Sequence, residues 1–267
     1  MKKLLSFSII LVIAIVINSC STVPIIGRKQ LHILPESQML SLSLTNYKAF
    51  LDTTEVIKSG KDYDMVKSAG MKISRAVIKF LSDNKLQDRA ANFAWEYNLV
   101  KESDVNAWCM PGGKVVFYSG IMPVCQDEQG VAVVMGHEIA HAVALHGNER
   151  LSQSLVAQFG GMALDIALQS KPEETKNLFL NAYGIGTQLG VLLPYSRKHE
   201  YEADKLGLIF MTMAGYDPNK AVSFWERMSK TETAKVPEFL STHPLSEKRI
   251  EELKKAIPEM AAYKTSK

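Results

Sequence analysis

Two histidines four residues apart, with a glutamate directly after the first, stand at His137-Glu138-Ile139-Ala140-His141. On an α-helix that spacing turns both imidazoles to one side, where they can reach one metal ion. Glu138 adjoins them without being needed as a ligand, and can take a proton from a water on that metal. Zn²⁺ lowers the pKa of such a water toward about 7, which makes a nucleophile available at neutral pH. The neighbours Val133, Val134, Ile139 and Val143 are apolar, so two imidazoles and a carboxylate among them would be costly without partners.

A catalytic zinc takes three protein ligands and keeps one position open. The third is sought in Ser196-Arg197-Lys198-His199-Glu200-Tyr201-Glu202-Ala203-Asp204. Glu200 and Asp204 are four apart, hence on one helix face. Glu200 can ligate the metal while Asp204 accepts a hydrogen bond from the far nitrogen of a ligating histidine and fixes its tautomer. His199 is a rival ligand, but one residue earlier it projects about 100° away. Glu202 is expected to be solvated. A wholly solvated charged helix start fits the Glu200/Asp204 pair poorly, because their face continues into Gly207, Leu208 and Met211. Arg197 and Arg249 are candidate supports behind the ligands, while His32 and His146 read as structural or exposed.

These residues need helices to carry them. Residues 36–58 and 62–81 place apolar side chains at helical spacing, with Val66, Ala69, Ile73, Val77 and Phe80 as the clearest series. Phe93, Trp95, Tyr97 and Leu99 alternate as in a strand, and Pro111-Gly112-Gly113 is a turn between two β-prone runs. Asp127 caps a helix expected to end near Gly147. Further helices follow to the C-terminus, with the apolar stretches at 151–168 and 175–193 read as a packed pair too short and too interrupted to cross a membrane. The expected fold is α+β and mostly helical, with a small antiparallel sheet beside the active-site helix. No internal repeat or low-complexity tract is present.

At 46% hydrophobic and 22% charged residues the chain has ample material for a core. Lys2 and Lys3 open an apolar run over residues 4–17, followed by Asn18-Ser19-Cys20. This describes a signal peptide over residues 1–19, and Ile17-Asn18-Ser19-Cys20 resembles a bacterial lipobox with Cys20 as the lipidated residue. Ordinary signal cleavage and an uncleaved anchor are the alternatives. The segment 20–35 then reads as a lipidated tether and 36–267 as one domain. Without Lys2 and Lys3, 29 Lys and Arg face 28 Asp and Glu. That near-neutral balance offers no electrostatic case for nucleic acid. Cys109 and Cys125 either pair or stay as separate buried thiols.

The His-Glu-x-x-His motif with Glu200 and Asp204 is of the gluzincin type. Together with Asn106-Ala107-Trp108-Cys109-Met110-Pro111-Gly112-Gly113, Ser196-Arg197 and Ser241-Thr242-His243-Pro244, it resembles metallopeptidase family 48, which includes the HtpX and Oma types of membrane-associated quality-control protease. The resemblance spans residues 65–255, and residues 23–25 and 27–31 resemble the opening of bacterial lipoprotein members. It implies His137, His141 and Glu200 as ligands of one zinc per chain, Glu138 as general base, and Asp204 with Arg197 behind them. Asn106, Ala107, Pro111, Gly112 and Gly113 would line an edge strand that binds extended substrate by strand addition, though Asn106 reads equally well as a turn residue. His243 either stabilises the oxyanion, fills the open zinc position at rest, or is a surface residue before proline. The chain lacks the long transmembrane pairs of HtpX-type members.

The resulting expectation is a zinc endopeptidase acting on unfolded or misassembled envelope proteins, lipid-anchored to the bacterial outer membrane and facing the periplasm. A zinc-stabilised, chaperone-like client-binding lipoprotein with little proteolysis is the alternative, against which Glu138 counts.

Overall fold

The computed structural model describes residues 20–23, 26–169, 171–187, 193–230 and 237–264, and the expected leader at residues 1–19 lies outside them. The elements run β1 (Cys20–Thr22), β2 (Lys29–Leu31), α1 (Glu36–Thr53), β3 (Val56–Ile57), α2 (Lys61–Asp83), α3 (Gln87–Ala91), β4 (Glu96–Val100), β5 (Ala107–Met110) and β6 (Lys114–Tyr118). They continue with α4 (Met122–Cys125), α5 (Glu128–Val143), α6 (His146–Ala167), α7 (Glu173–Thr187), α8 (Leu193–Met213), α9 (Asn219–Met228), α10 (Glu238–Thr242) and α11 (Glu247–Ala256). The class is α+β and mostly helical, as expected. Two units are distinguished, Met1–Met39 with Leu145–Lys198 and Leu40–Ala144 with His199–Lys267.

In the second of these units α5 is the central element. Asp127 caps it, its side chain accepting the Gly130 N–H at 2.9 Å. Residues 130–143 are all buried, which requires a helix apolar or small nearly all round. α2 packs against it with the expected series, Val66, Ala69, Ile73, Val77 and Phe80, almost fully enclosed. Phe80 meets Phe210 of α8 edge to face with centroids 5.1 Å apart.

The sheet order is β3-β4-β6-β5, with β3–β4 and β5–β6 antiparallel and β4–β6 parallel. The expected antiparallel sheet is therefore mixed. The hairpin around Pro111-Gly112-Gly113 forms as predicted, but β4 joins its second strand in parallel, with Glu96 facing Lys114 and Val100 facing Tyr118. Alternating side chains reveal a two-faced strand and say nothing of its neighbour's direction. Tyr47, Phe50 and Leu51 of α1 pack on one face, against Val100, Trp108, Val116 and Tyr118. Lys114 is buried and bound to Glu96 at 2.6 Å, while the other Glu96 oxygen accepts the Tyr47 hydroxyl at 2.8 Å. β5 is left at the edge.

In the other unit, residues 20–35, read as a tether, hold a two-stranded hairpin of β1 and β2. Val23 is fully buried, and both Arg28 terminal nitrogens meet the Glu149 carboxylate at 2.7 Å. Asn148 donates to the Leu34 carbonyl, and Ser152 Oγ accepts the Ile33 N–H. Cys20 begins β1, and its side chain lies outside the described residues. α6 and α7 form the expected pair, tied by Lys176 to Asp165 at 2.9 Å and by Tyr183 to the Ala157 carbonyl. Among the described residues no helix is long and apolar enough to cross a membrane. The helix expected to run to Gly147 ends at Val143, and Leu145, at φ 59°, separates it from α6. Cys109 and Cys125 are free thiols.

Gly70 of α2 lies against Tyr97, and a Cβ there would overlap the phenol ring. Gly70→Ala gains about 1 kcal/mol of helix propensity but meets an overpacking cost of about 1–3 kcal/mol. Thermal unfolding should show a lowered midpoint. A raised midpoint would mean that the Tyr97 ring is not seated on α2.

Candidate metal centre

His137 and His141 project from the last two turns of α5, and Glu200 and Asp204 from α8. His243 follows the short helix α10, and Ser246 caps α11 by accepting the Arg249 N–H. Four separate elements thus converge. His137 Nε2 lies 3.2 Å from His141 Nε2 and 3.3 Å from Glu200 Oε2, and His141 Nε2 lies 3.3 Å from Glu200 Oε1. His243 Nδ1 is 3.2 Å from His137 Nε2 and 3.2 Å from each Glu200 oxygen. All four donors are buried and lie within 4.8 Å of one another.

That spacing fits a metal. Nitrogen and oxygen donors held tetrahedrally at about 2.0–2.1 Å from zinc stand about 3.3 Å apart, the separation found here. The chemistry of the donor set agrees, because imidazole and carboxylate suit Zn²⁺. Charge agrees as well. Glu138, Glu200 and Asp204 are 3%, 3% and 7% exposed, and among the described residues the guanidinium that meets them is that of Arg249, 1% exposed. With neutral imidazoles the cluster has a formal charge of about −2, the complement of a divalent cation. Glu138 Oε1 is buried without a hydrogen-bond partner, 3.4 Å from His243 Nε2. A base awaiting an O–H has this environment.

Behind the donors, His137 Nδ1 meets Asp204 Oδ1 at 3.0 Å, which directs its Nε2 lone pair toward the cluster. Arg249 holds Asp204 with two nitrogens, at 2.6 and 2.9 Å, and Glu200 Oε2 with a third at 2.9 Å. It also donates to the His243 and Pro244 carbonyls and lies 4.0 Å over the Trp225 ring. Trp225 and Phe239 stack and wall the imidazoles from water. Burial pushes the His137 imidazolium down, but Asp204 and Glu200 outweigh it and raise its pKa to about 9 without metal. Burial likewise opposes ionisation of Glu200, and the surrounding histidines hold its carboxyl well below the usual range. At Asp204 burial again opposes ionisation, and Arg249 outweighs it to lower the carboxyl's pKa.

Asn106 is buried, and its Oδ1 accepts the Ala107 N–H at 2.9 Å. The Asn106 carbonyl accepts the Tyr118 N–H, so alternation turns the backbone groups of Ala107 and Cys109 away from β6 to the open edge. Pro111, Gly112 and Gly113 make the hairpin turn, both glycines at positive φ. Their carbonyls are taken by Ser43, Ala94 and Glu96. Arg197 is exposed and belongs to the other unit. Contrary to expectation Glu202 is buried, as is His199. Trp225 and Phe239 escaped sequence reasoning, since apolar periodicity marks core positions without saying which face a metal.

The sequence matches the model of Peptidase family M48 over residues 72–257. It is 36% identical over 193 residues to the mitochondrial metalloendopeptidase OMA1 of Schizosaccharomyces pombe, covering 70% of this chain and 52% of that protein. The human metalloendopeptidase OMA1, mitochondrial, is 30% identical over 245 residues, covering 88% and 45%. The beta-barrel assembly-enhancing protease of Escherichia coli is 27% identical over 171 residues, covering 62% and 35%. The chain thus spans about half the length of the first two relatives. The yeast and human proteins are named mitochondrial, which overturns the expected localisation on the bacterial outer membrane. The leader that suggested that localisation, residues 1–19, lies outside the described residues.

A zinc ion bound at His137 would have to displace the proton that this imidazole holds below about pH 9. Calorimetric titration should show zinc affinity rising with pH between 6.5 and 9 and levelling above. Because this pKa is raised on folding, its stabilisation without metal is complete below about pH 6.5 and lost as pH climbs through about 9. A zinc affinity that is flat across this window would contradict the ion pairing of His137.

Proposed function

The chain belongs to peptidase family M48, and on that premise we propose that it is a zinc metalloendopeptidase hydrolysing peptide bonds in extended or unfolded polypeptide. The observation that carries this reading is the convergence of His137, His141 and Glu200 beside the enclosed Glu138 oxygen that no donor satisfies. His137, His141 and Glu200 are the ligands of one zinc per chain, and Asp204 orients His137. Bound zinc supplies a Lewis acid and a water ionised near neutral pH.

Glu138 takes the proton from the attacking water and returns it to the departing amine. His243, with one nitrogen among the donors and the other 3.4 Å from Glu138, shields the site at rest and faces the oxyanion when substrate displaces it. Ala107 and Cys109 offer outward backbone groups on the sheet edge, which suits a substrate bound as an added strand. Asn106 holds the Ala107 N–H and so limits how far that ladder extends. Pro111, Gly112 and Gly113 fix the hairpin that presents the edge. Client binding without cleavage is the weaker reading, because it leaves a buried carboxylate without use.

The test is cleavage of unfolded casein by the full chain. A chelator should abolish it, and Glu138→Gln should lower it by roughly 10²–10⁴-fold while zinc content stays unchanged. If the wild-type chain holds one zinc and cleaves nothing, the peptidase reading fails.

A further inference from the structure

The reach of Glu200 and Asp204 to one imidazole depends on how close α8 comes to α5. Asp204 has a single methylene between its backbone and its carboxylate, yet Oδ1 lies 3.0 Å from His137 Nδ1. On the same ring Glu200 Oε2 lies 3.3 Å from Nε2. How far apart the two backbones stand therefore fixes both contacts, and packed helices with side chains between them stand about 8–10 Å apart.

The crossing point shows how this is achieved. A Cβ on Gly136 would fall 3.0 Å from the Gly207 carbonyl oxygen and 3.4 Å from its Cα. A Cβ on Gly207 would fall 3.1 Å from both the Gly136 carbonyl carbon and the His137 nitrogen. Every one of these neighbours is backbone, so no rotamer change can make room. Gly136 directly precedes the first histidine, and Gly207 follows Asp204 by three residues and Glu200 by seven, on the same face. One turn away on each helix stands another small, fully buried residue, Ala140 on α5 and Ala203 on α8.

We propose that Gly136 and Gly207 are the positioning residues of the metal centre, their backbone contact setting the distance from which Glu200 and Asp204 reach His137. A methyl group at either position forces the helices apart by a few tenths of an ångström. Ligand distances in a zinc site fall within about ±0.2 Å of their usual values. The same displacement is small for the core, and alanine suits both helices better than glycine does. Metal affinity is therefore the more sensitive property.

The proposal rests on His137, His141 and Glu200 holding zinc, and wild-type titration checks that reading separately. The experiment compares the full chain with Gly207→Ala, with Gly136→Ala and with a control, Gly147→Ala, whose added Cβ meets nothing within 4 Å. Zinc affinity is measured by competition with a chromophoric chelator, ligand geometry by the visible spectrum of the cobalt(II) form, and folding by thermal unfolding without metal. The expected result is a loss of zinc affinity of about 10–100-fold in the first two variants, with an altered cobalt spectrum. Their metal-free melting should stay close to wild type, and the control should be unchanged throughout. Wild-type affinity and spectrum in Gly207→Ala and Gly136→Ala would overturn the proposal. So would a loss of zinc binding that merely tracks a loss of fold in both, because the glycines would then serve packing alone. A wild-type chain that binds no zinc would instead refute the metal-site reading.

Discussion

Enclosing Glu138, Glu200 and Asp204 in one water-poor pocket costs several kcal/mol for each charge that lacks a partner. Much of the second unit can be understood as the answer to that cost. Arg249 covers Asp204 with two nitrogens and Glu200 with a third. His137 lies between the two carboxylates, one nitrogen toward each. The remaining negative charge suits a divalent cation, and the imidazole and carboxylate donors stand at the spacing such an ion imposes. The same electrostatic demand therefore orders α5, α8, the His243 turn and α11. The aromatic wall of Trp225 and Phe239 keeps water from relaxing it.

This arrangement also explains why the end of the chain matters so far from the histidine motif. Arg249 binds the His243 and Pro244 carbonyls as well as the two acids. The turn that carries His243 is thus fastened to the group that neutralises the pocket. In the sheet β5 presents a short edge, with α1 packed behind its hairpin. Rigid support behind an open edge is what strand addition of a polypeptide requires.

The helices were legible in the sequence where either a strong period or a cap marked them: the apolar spacing of α2, and the Asp127 cap at the start of α5. The four-residue spacings of His137/His141 and Glu200/Asp204 were legible for the same reason, since helix geometry alone aligns them. The parallel pairing of β4 with β6 was not, because alternation carries no strand direction. Nor was the burial of Glu202, which looked solvated by composition. Arg249 was visible only as a candidate beside Arg197. What separates them is tertiary: one is enclosed over Trp225 and the other is exposed. Localisation was least legible: the basic, apolar leader reads as a secretory signal, whereas the yeast and human relatives are named mitochondrial.

The central claim is that a single ion is held by nitrogen and oxygen donors from α5 and α8. X-ray absorption at the zinc edge tests it most directly. Expected are a shell of nitrogen and oxygen at about 2.0–2.1 Å, imidazole scattering in the outer shells, and loss of the ordered signal in Glu200→Ala. A sulfur shell at about 2.3 Å, or an unchanged spectrum in that variant, would contradict it.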